Sequence, residues 1–163
     1  MLHTSHERLF ETNRFVYPVL SRRSQGVSVG INLNPNKVCN FDCIYCQVDR
    51  TTTSETRFVE MDQLLTELDD MLSLLTSGEL FRTERFSLVP IHLQRLNDIA
   101  FSGDGEPTTY KNFDEIISAC AELKEDRVIT PRPMKDLRTI LFMSVFFLII
   151  GDNNKRIVTN RHQ

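Results

Sequence analysis

The sequence predicts an α/β fold built on parallel strands, either an open sheet or a barrel, and three observations carry that reading. Val27, Val29, Ile31 and Leu33 alternate with Ser28, Gly30 and Asn32, the period of two that marks a strand. From Phe58 to Leu75 the apolar residues recur at spacings of three and four with acids between them, the pattern of an amphipathic helix. The stretch 98-DIAFSGDGEPT-108 then reads as a short buried strand entering a glycine-rich loop. Strand, loop, helix, strand in that order is the pattern of parallel pairing across a helical crossover.

Each element has a local reason to begin or stop. Pro35 closes the first strand because it has no N–H to give to a ladder. The helix presents Phe58, Met61, Leu64, Leu65, Leu68, Met71, Leu72 and Leu75 to one side, and Gly78 is placed to end it. Residues 79–97 show no period. A second helix is marked by Phe113, Ile116, Ile117 and Cys120, with Asn112 and Glu115 spaced as an N-terminal capping pair. Val128, Ile129 and Thr130 read as the start of a third strand, which Pro131 and Pro133 interrupt.

The chain has 163 residues, a net charge of -3, 40% apolar and 25% charged residues, which fits one soluble domain with no global field for nucleic acid. The acids concentrate in residues 51–127, and the segment after Arg127 is basic. No internal repeat or low-complexity tract is visible. The N-terminal stretch 1-MLHTSHERLFETNRF-15 lacks an apolar core of signal-peptide length, so a cytoplasmic, reducing compartment is expected. The apolar run Ile140–Ile150 would be a helix roughly 16 Å long against a hydrocarbon core of roughly 30 Å. It reads as a buried strand or helix, or an exposed aggregation-prone end, and no membrane association is expected.

The chemistry concentrates in 38-VCNFDCIYCQVD-49, where three of the four cysteines stand as Cys39-x3-Cys43-x2-Cys46. A structural disulfide would leave one of them unpaired and fits a reducing compartment badly. Structural zinc wants four closed ligands. Cys120 sits on the apolar face of a helix, where a free cysteine is commonly a core residue, and the histidines have no ligand-like spacing. An iron–sulfur cluster uses thiolates, and three protein ligands to a four-iron cubane leave one iron open for a substrate. Working loops of parallel sheets lie at the C-terminal ends of strands. The cysteine loop and the Gly-Asp-Gly-Glu loop are therefore expected on one rim.

Cys39-x3-Cys43-x-Tyr45-Cys46 resembles the signature of the radical S-adenosylmethionine enzymes, and 102-SGDGEPT-108 resembles that family's glycine-glycine-glutamate motif. The run 21-SRRSQGVSVGINLNPNKVCNFDCIYCQVDR-50 looks like an iron–sulfur oxidoreductase branch related to the wybutosine-synthesis enzymes. The resemblance covers roughly residues 15–125. It implies the N-terminal, incomplete part of a partial (β/α)6 TIM-like barrel. It also implies a [4Fe-4S] cluster on Cys39, Cys43 and Cys46, whose open iron chelates S-adenosylmethionine. Tyr45, Gly103, Asp104, Gly105, Glu106 and Pro107 would contact that cofactor, with Tyr45 near the adenine and Glu106 accepting from its ammonium group. The implied reaction is reductive cleavage of the cofactor to a 5′-deoxyadenosyl radical. It calls for an external one-electron reductant and a substrate, a nucleoside or peptide, that the sequence does not name.

The expected organisation is an N-terminal extension over 1–25, a partial core over 26–130 and a divergent tail over 131–163, with a C-terminally truncated or frame-altered product as the preferred account of the tail. Two other readings stand beside catalysis: a non-catalytic cluster-binding fragment or electron carrier, and a zinc-binding module.

Overall fold

The computed structural model describes residues 10–21, 25–41, 43–44, 46, 48–49, 58–128, 140–142 and 147–149. Its elements are β1 (Val16–Ser21), β2 (Gly26–Ile31), α1 (Met61–Ser77), β3 (Leu96–Phe101), α2 (Phe113–Val128), β4 (Ile140–Phe142) and β5 (Phe147–Ile149). Short 3-10 turns occupy Glu79–Arg82, Ile91–Leu93 and Pro107–Thr109. The last of these follows the glycine-rich loop, and the first two lie within the stretch that shows no sequence period.

β2 and β3 pair in parallel, with Val29 opposite Ile99 and Ile31 opposite Phe101. Parallel strands need a long crossover, and α1 with the turns after it supplies that connection. Helix α1 buries Leu64, Leu68, Met71, Leu72 and Leu75 in the core. Each such side chain contributes about 1.5–3 kcal/mol relative to exposure. Gly78 ends the helix in the left-handed region, at φ 77°, and its N–H donates to the Leu75 carbonyl at 3.2 Å. A side chain there would be strained. Helix α2 brings Phe113 edge-on against Phe101, with ring centroids 5.4 Å apart.

β1 completes the sheet, and it falls within the segment expected to be an extension. It pairs antiparallel with β2, placing Tyr17 opposite Gly30. A Cβ on Gly30 would stand 2.4 Å from Tyr17 Cζ, so only glycine leaves room for the ring. The Tyr17 hydroxyl reaches past β2 to the carbonyl of Ser102 at 3.1 Å and to its Oγ at 3.0 Å.

The entry into β1 is held from α1. Glu67 is buried, and its Oε2 accepts the backbone N–H groups of Phe15 at 2.8 Å and Val16 at 3.1 Å. Its Oε1 accepts the N–H of Arg14 at 3.0 Å and the Nε2 of Gln63 at 2.9 Å. A carboxylate that takes three successive main-chain N–H groups is an anion in a backbone nest.

The expected portion of a barrel is not what the chain forms. The sheet is three-stranded and mixed, in the order β1-β2-β3, and β4 and β5 pair antiparallel with each other in a separate two-stranded sheet. A barrel would continue the parallel series from β2 and β3. Instead β1, fixed by Glu67 and by Tyr17 over Gly30, covers the outer edge of β2 in the antiparallel sense. The third strand expected from Val128 is also absent at its first residue, because Val128 belongs to α2; residues 129–130 lie outside the described set. The apolar run after Ile140 supplies β4 and β5. No helix among the described residues is long and apolar enough to cross a membrane.

Replacing Glu67 with alanine would strand buried N–H donors at the start of β1. The expected loss is about 2–4 kcal/mol of folding stability, read as a lower urea midpoint. Glu67→Gln, which keeps one acceptor oxygen, should lose less. Equal midpoints for wild type and Glu67→Ala would mean that the nest does not anchor β1.

Candidate functional site

The chain leaves β2 through a short, well-bonded turn. Pro35 follows Asn34, the Lys37 N–H donates to the Asn34 carbonyl at 2.8 Å, and Lys37 takes a left-handed backbone with φ 60°. Asn36 Oδ1 accepts the Val38 N–H at 3.0 Å, and Asn34 Nδ2 donates to the Val38 carbonyl at 3.3 Å. These bonds fix the residue just before Cys39. Beyond it, Cys39 and Cys43 are half-buried and Cys46 is exposed, and none of the four cysteines is in a disulfide. The Cys46 N–H donates to the Cys43 carbonyl at 2.9 Å, a turn that holds these two cysteines together. Tyr45 lies outside the described residues.

The second loop, Ser102–Glu106, leaves β3 at the same end of the sheet, and Asn32 joins it to the first. Asn32 Oδ1 accepts the N–H groups of Asp104 and Asn34, both at 3.1 Å, while its Nδ2 donates to Asp104 Oδ2 at 2.7 Å. Its own N–H donates to the Phe15 carbonyl at 2.8 Å. One buried amide thus ties the end of β2 to β1, to the start of the cysteine loop and to the glycine loop.

The glycines have a reason inside the protein. A Cβ on Gly103 would fall 2.1 Å from Asn32 Oδ1 and 2.9 Å from the Asn32 Cα. One on Gly105 would fall 2.7 Å from Asn34 Cβ and 2.9 Å from the Val38 carbonyl oxygen. Glycine at both positions lets the loop press onto the β2 exit and the foot of the cysteine loop. The resemblance gave these glycines a close approach to cofactor; the structure adds a close approach to Asn32 and Asn34.

Glu106 is buried, and its Oε1 accepts the Thr108 N–H at 3.3 Å and the Thr108 hydroxyl at 2.6 Å. It caps the turn whose first residue is the buried Pro107. Both bonds end on Oε1, and among the described residues Oε2 takes none. Asn34 Oδ1 is buried without a hydrogen-bond partner, on a side chain packed against Gly105. The rim therefore holds a carboxylate oxygen with capacity to accept and an amide oxygen that is not satisfied.

Among the described residues, no three His, Cys, Asp or Glu side chains are already arranged around a metal position. The three thiols share one loop without converging. The donor set still fits an iron–sulfur cluster, because three soft sulfur donors stand within eight residues and two of them are held in one turn. Cys120 is separate: it is buried on α2, and burial pushes its thiol up to about 12. Tyr17, Asn32 and Glu67 are the organising residues that sequence reasoning passed over. Asn32 carried a weak signal, as a polar residue continuing the alternation of a buried strand.

Among the described residues the chain is thus a mixed sheet with two packed helices and a thiol-bearing loop braced by a glycine loop. Curated relatives match part of it. A GTPase Obg of Brachyspira hyodysenteriae is 32% identical over 110 residues, 66% of this chain and 13% of that protein. A UPF0026 protein of Methanocaldococcus jannaschii is 32% identical over 101 residues, 60% of this chain and 26% of its own length. One of Helicobacter pylori is 30% identical over 105 residues, 63% of this chain and 28% of its own length. The chain spans between 13% and 28% of the length of these relatives. No family model matches the chain, and no solved structure does.

Gly103→Ala should be hard to accommodate, because backbone as well as side chain fills the space. A cost of about 1–3 kcal/mol is expected, measured by thermal or urea unfolding; no change would mean that the two loops do not meet as described. Iodoacetamide at neutral pH should label Cys39, Cys43 and Cys46 in the folded chain and reach Cys120 only after unfolding. The raised thiol of Cys120 also sets a sign. Its contribution is present below the ordinary value of 9.0 and is lost as pH rises toward about 12. Stability should therefore fall across that interval by more in wild type than in Cys120→Ala; parallel curves would contradict the burial.

Proposed function

We propose that this chain is a radical S-adenosylmethionine iron–sulfur protein, holding a [4Fe-4S] cluster on Cys39, Cys43 and Cys46 and binding S-adenosylmethionine beside it. The observation that supports this best is the bracing of the cysteine loop against the glycine loop through Asn32, which puts thiols and cofactor-binding candidates on one rim. When bound, the cluster supplies one electron, drawn from an external reductant, for cleavage of the cofactor's sulfur–carbon bond.

The chain's own residues bind and orient. Cys39, Cys43 and Cys46 would hold the cluster by their thiolates. Glu106, kept in place by Thr108 on Oε1, offers Oε2 to the cofactor's ammonium group, a charge-assisted hydrogen bond. Gly103 and Gly105 present main chain without side chains, and Asn32 holds Asp104 so that the loop keeps its shape. Val38, Phe41 and Ile44, close to the thiols in the sequence, are exposed apolar residues. The substrate, a nucleoside or a peptide, is not specified by these residues. The match to GTPase Obg covers 13% of that protein and lends no GTPase reading to this chain.

Anaerobic reconstitution with iron and sulfide should give one four-iron cluster per chain. Alanine at Cys39, Cys43 or Cys46 should abolish the chromophore, and Cys120→Ala should keep it. Stoichiometric zinc with no iron–sulfur absorbance would replace this reading with the zinc-module one. Glu106→Gln should weaken S-adenosylmethionine binding by about 1.5–3 kcal/mol in anaerobic calorimetry while sparing the cluster. Unchanged affinity would leave Glu106 as a turn cap alone.

A further inference from the structure

The turn between Cys43 and Cys46 has a chemical consequence of its own. A four-residue turn keeps its end Cα atoms within about 7 Å, and a disulfide bridges Cα separations of about 4.4–6.8 Å. The Cys46 N–H on the Cys43 carbonyl, at 2.9 Å, brings the backbones of these two cysteines close together, near the separation a disulfide spans. Cys39 is held differently. It follows Val38, whose carbonyl and N–H are fixed by Asn34 and Asn36, so it belongs to the rigid exit of β2. Exposure adds a direction, since Cys46 is open to solvent and Cys43 is half-buried.

We propose that in the metal-free protein Cys43 and Cys46 form a reversible disulfide on exposure to peroxide, which closes the loop against metal loading until a thiol reductant opens it. A standing structural disulfide is disfavoured in a reducing compartment, but a transient one between a solvent-exposed thiol and a resolving neighbour is the usual form of a thiol sensor. The sulfur of Cys46 attacks one oxygen of hydrogen peroxide. The O–O bond breaks, one water leaves and a sulfenic acid remains. The sulfur of Cys43 then attacks that sulfur. The S–S bond forms, the S–O bond breaks and a second water leaves. Two thiols have lost two hydrogens, and one peroxide has become two waters. The disulfide occupies two of the three thiols and keeps Cys46 off the irreversible path to sulfinic and sulfonic acids. A thiol reductant restores both by exchange.

This device concerns the protein before any metal is bound, so it does not require the function proposed above. The full-length metal-free chain is treated with one equivalent of hydrogen peroxide, alkylated, digested and mapped by mass spectrometry. The expected product links Cys43 to Cys46, leaves Cys39 and Cys120 as thiols, and reverts with dithiothreitol. In Cys43→Ser, dimedone should trap a sulfenic acid on Cys46. A link that uses Cys39, a sulfenic acid trapped on Cys39, or direct passage to sulfinic acid would overturn the proposal. The oxidised chain is then offered zinc(II) alone, because sulfide would itself open the disulfide by exchange. Loading should be lost and should return after reduction, and undiminished loading of mapped disulfide protein would overturn the gating step. Failure of the reduced chain to load iron in the reconstitution above would count against the iron–sulfur reading, while the peptide map would still decide the disulfide.

Discussion

Three main-chain N–H groups in succession point at one buried carboxylate, and the arrangement of this protein follows from that contact. Arg14, Phe15 and Val16 give these N–H groups to the Glu67 side chain of α1. From these fixed first residues β1 runs antiparallel along β2. Phe15 then presents its carbonyl to the N–H of Asn32. Asn32 in turn carries the glycine loop. A carboxylate on a helix is thus linked, through the entry of β1 and through Asn32, to the glycine loop at that same end of the sheet. Buried carboxylates are costly unless hydrogen-bonded, and the main-chain donors in this nest meet that cost.

The two loops of the rim are held by contacts of different kinds. The glycine loop is locked by directed hydrogen bonds to Asn32 and by the close approach of its backbone to Asn32 and Asn34. The cysteine loop is bonded at its foot, up to Val38, and Cys46 bonds back to Cys43 further along it. The unsatisfied Asn34 Oδ1 lies at the seam between the two.

Much of this was legible in local pattern. The alternation through Val27, Val29 and Ile31, the spacing of Leu64, Leu68, Met71, Leu72 and Leu75, and the stop at Gly78 each became the element they announced, because each depends on residues a few positions apart. Cys120 as a core residue was legible for the same reason. β1 was not, since Val16–Ser21 contains Pro18 and its partners lie on another strand and on a helix more than fifty residues away. The resemblance supplied a barrel, but the long-range contacts of Glu67 and Tyr17 produce a mixed sheet. The site residues divide similarly. The cysteines and the glycine loop stand out as clusters, whereas Asn32 is a single polar residue whose importance comes from what the fold places around it.

Tyr17 and Gly30 illustrate what such distant pairing imposes over generations. The ring sits in the volume that a Cβ would fill, and its hydroxyl ends on Ser102. Neither position can therefore vary alone. A side chain at 30 evicts the ring, while a smaller residue at 17 leaves a void over the glycine and frees the first residue of the glycine loop. The two positions form one heritable unit spread across two strands, and a lineage that alters one must pass through a weakened intermediate before the other can compensate. That bottleneck ties the history of β1, read in the sequence as an extension, to the history of the loop that shapes the rim.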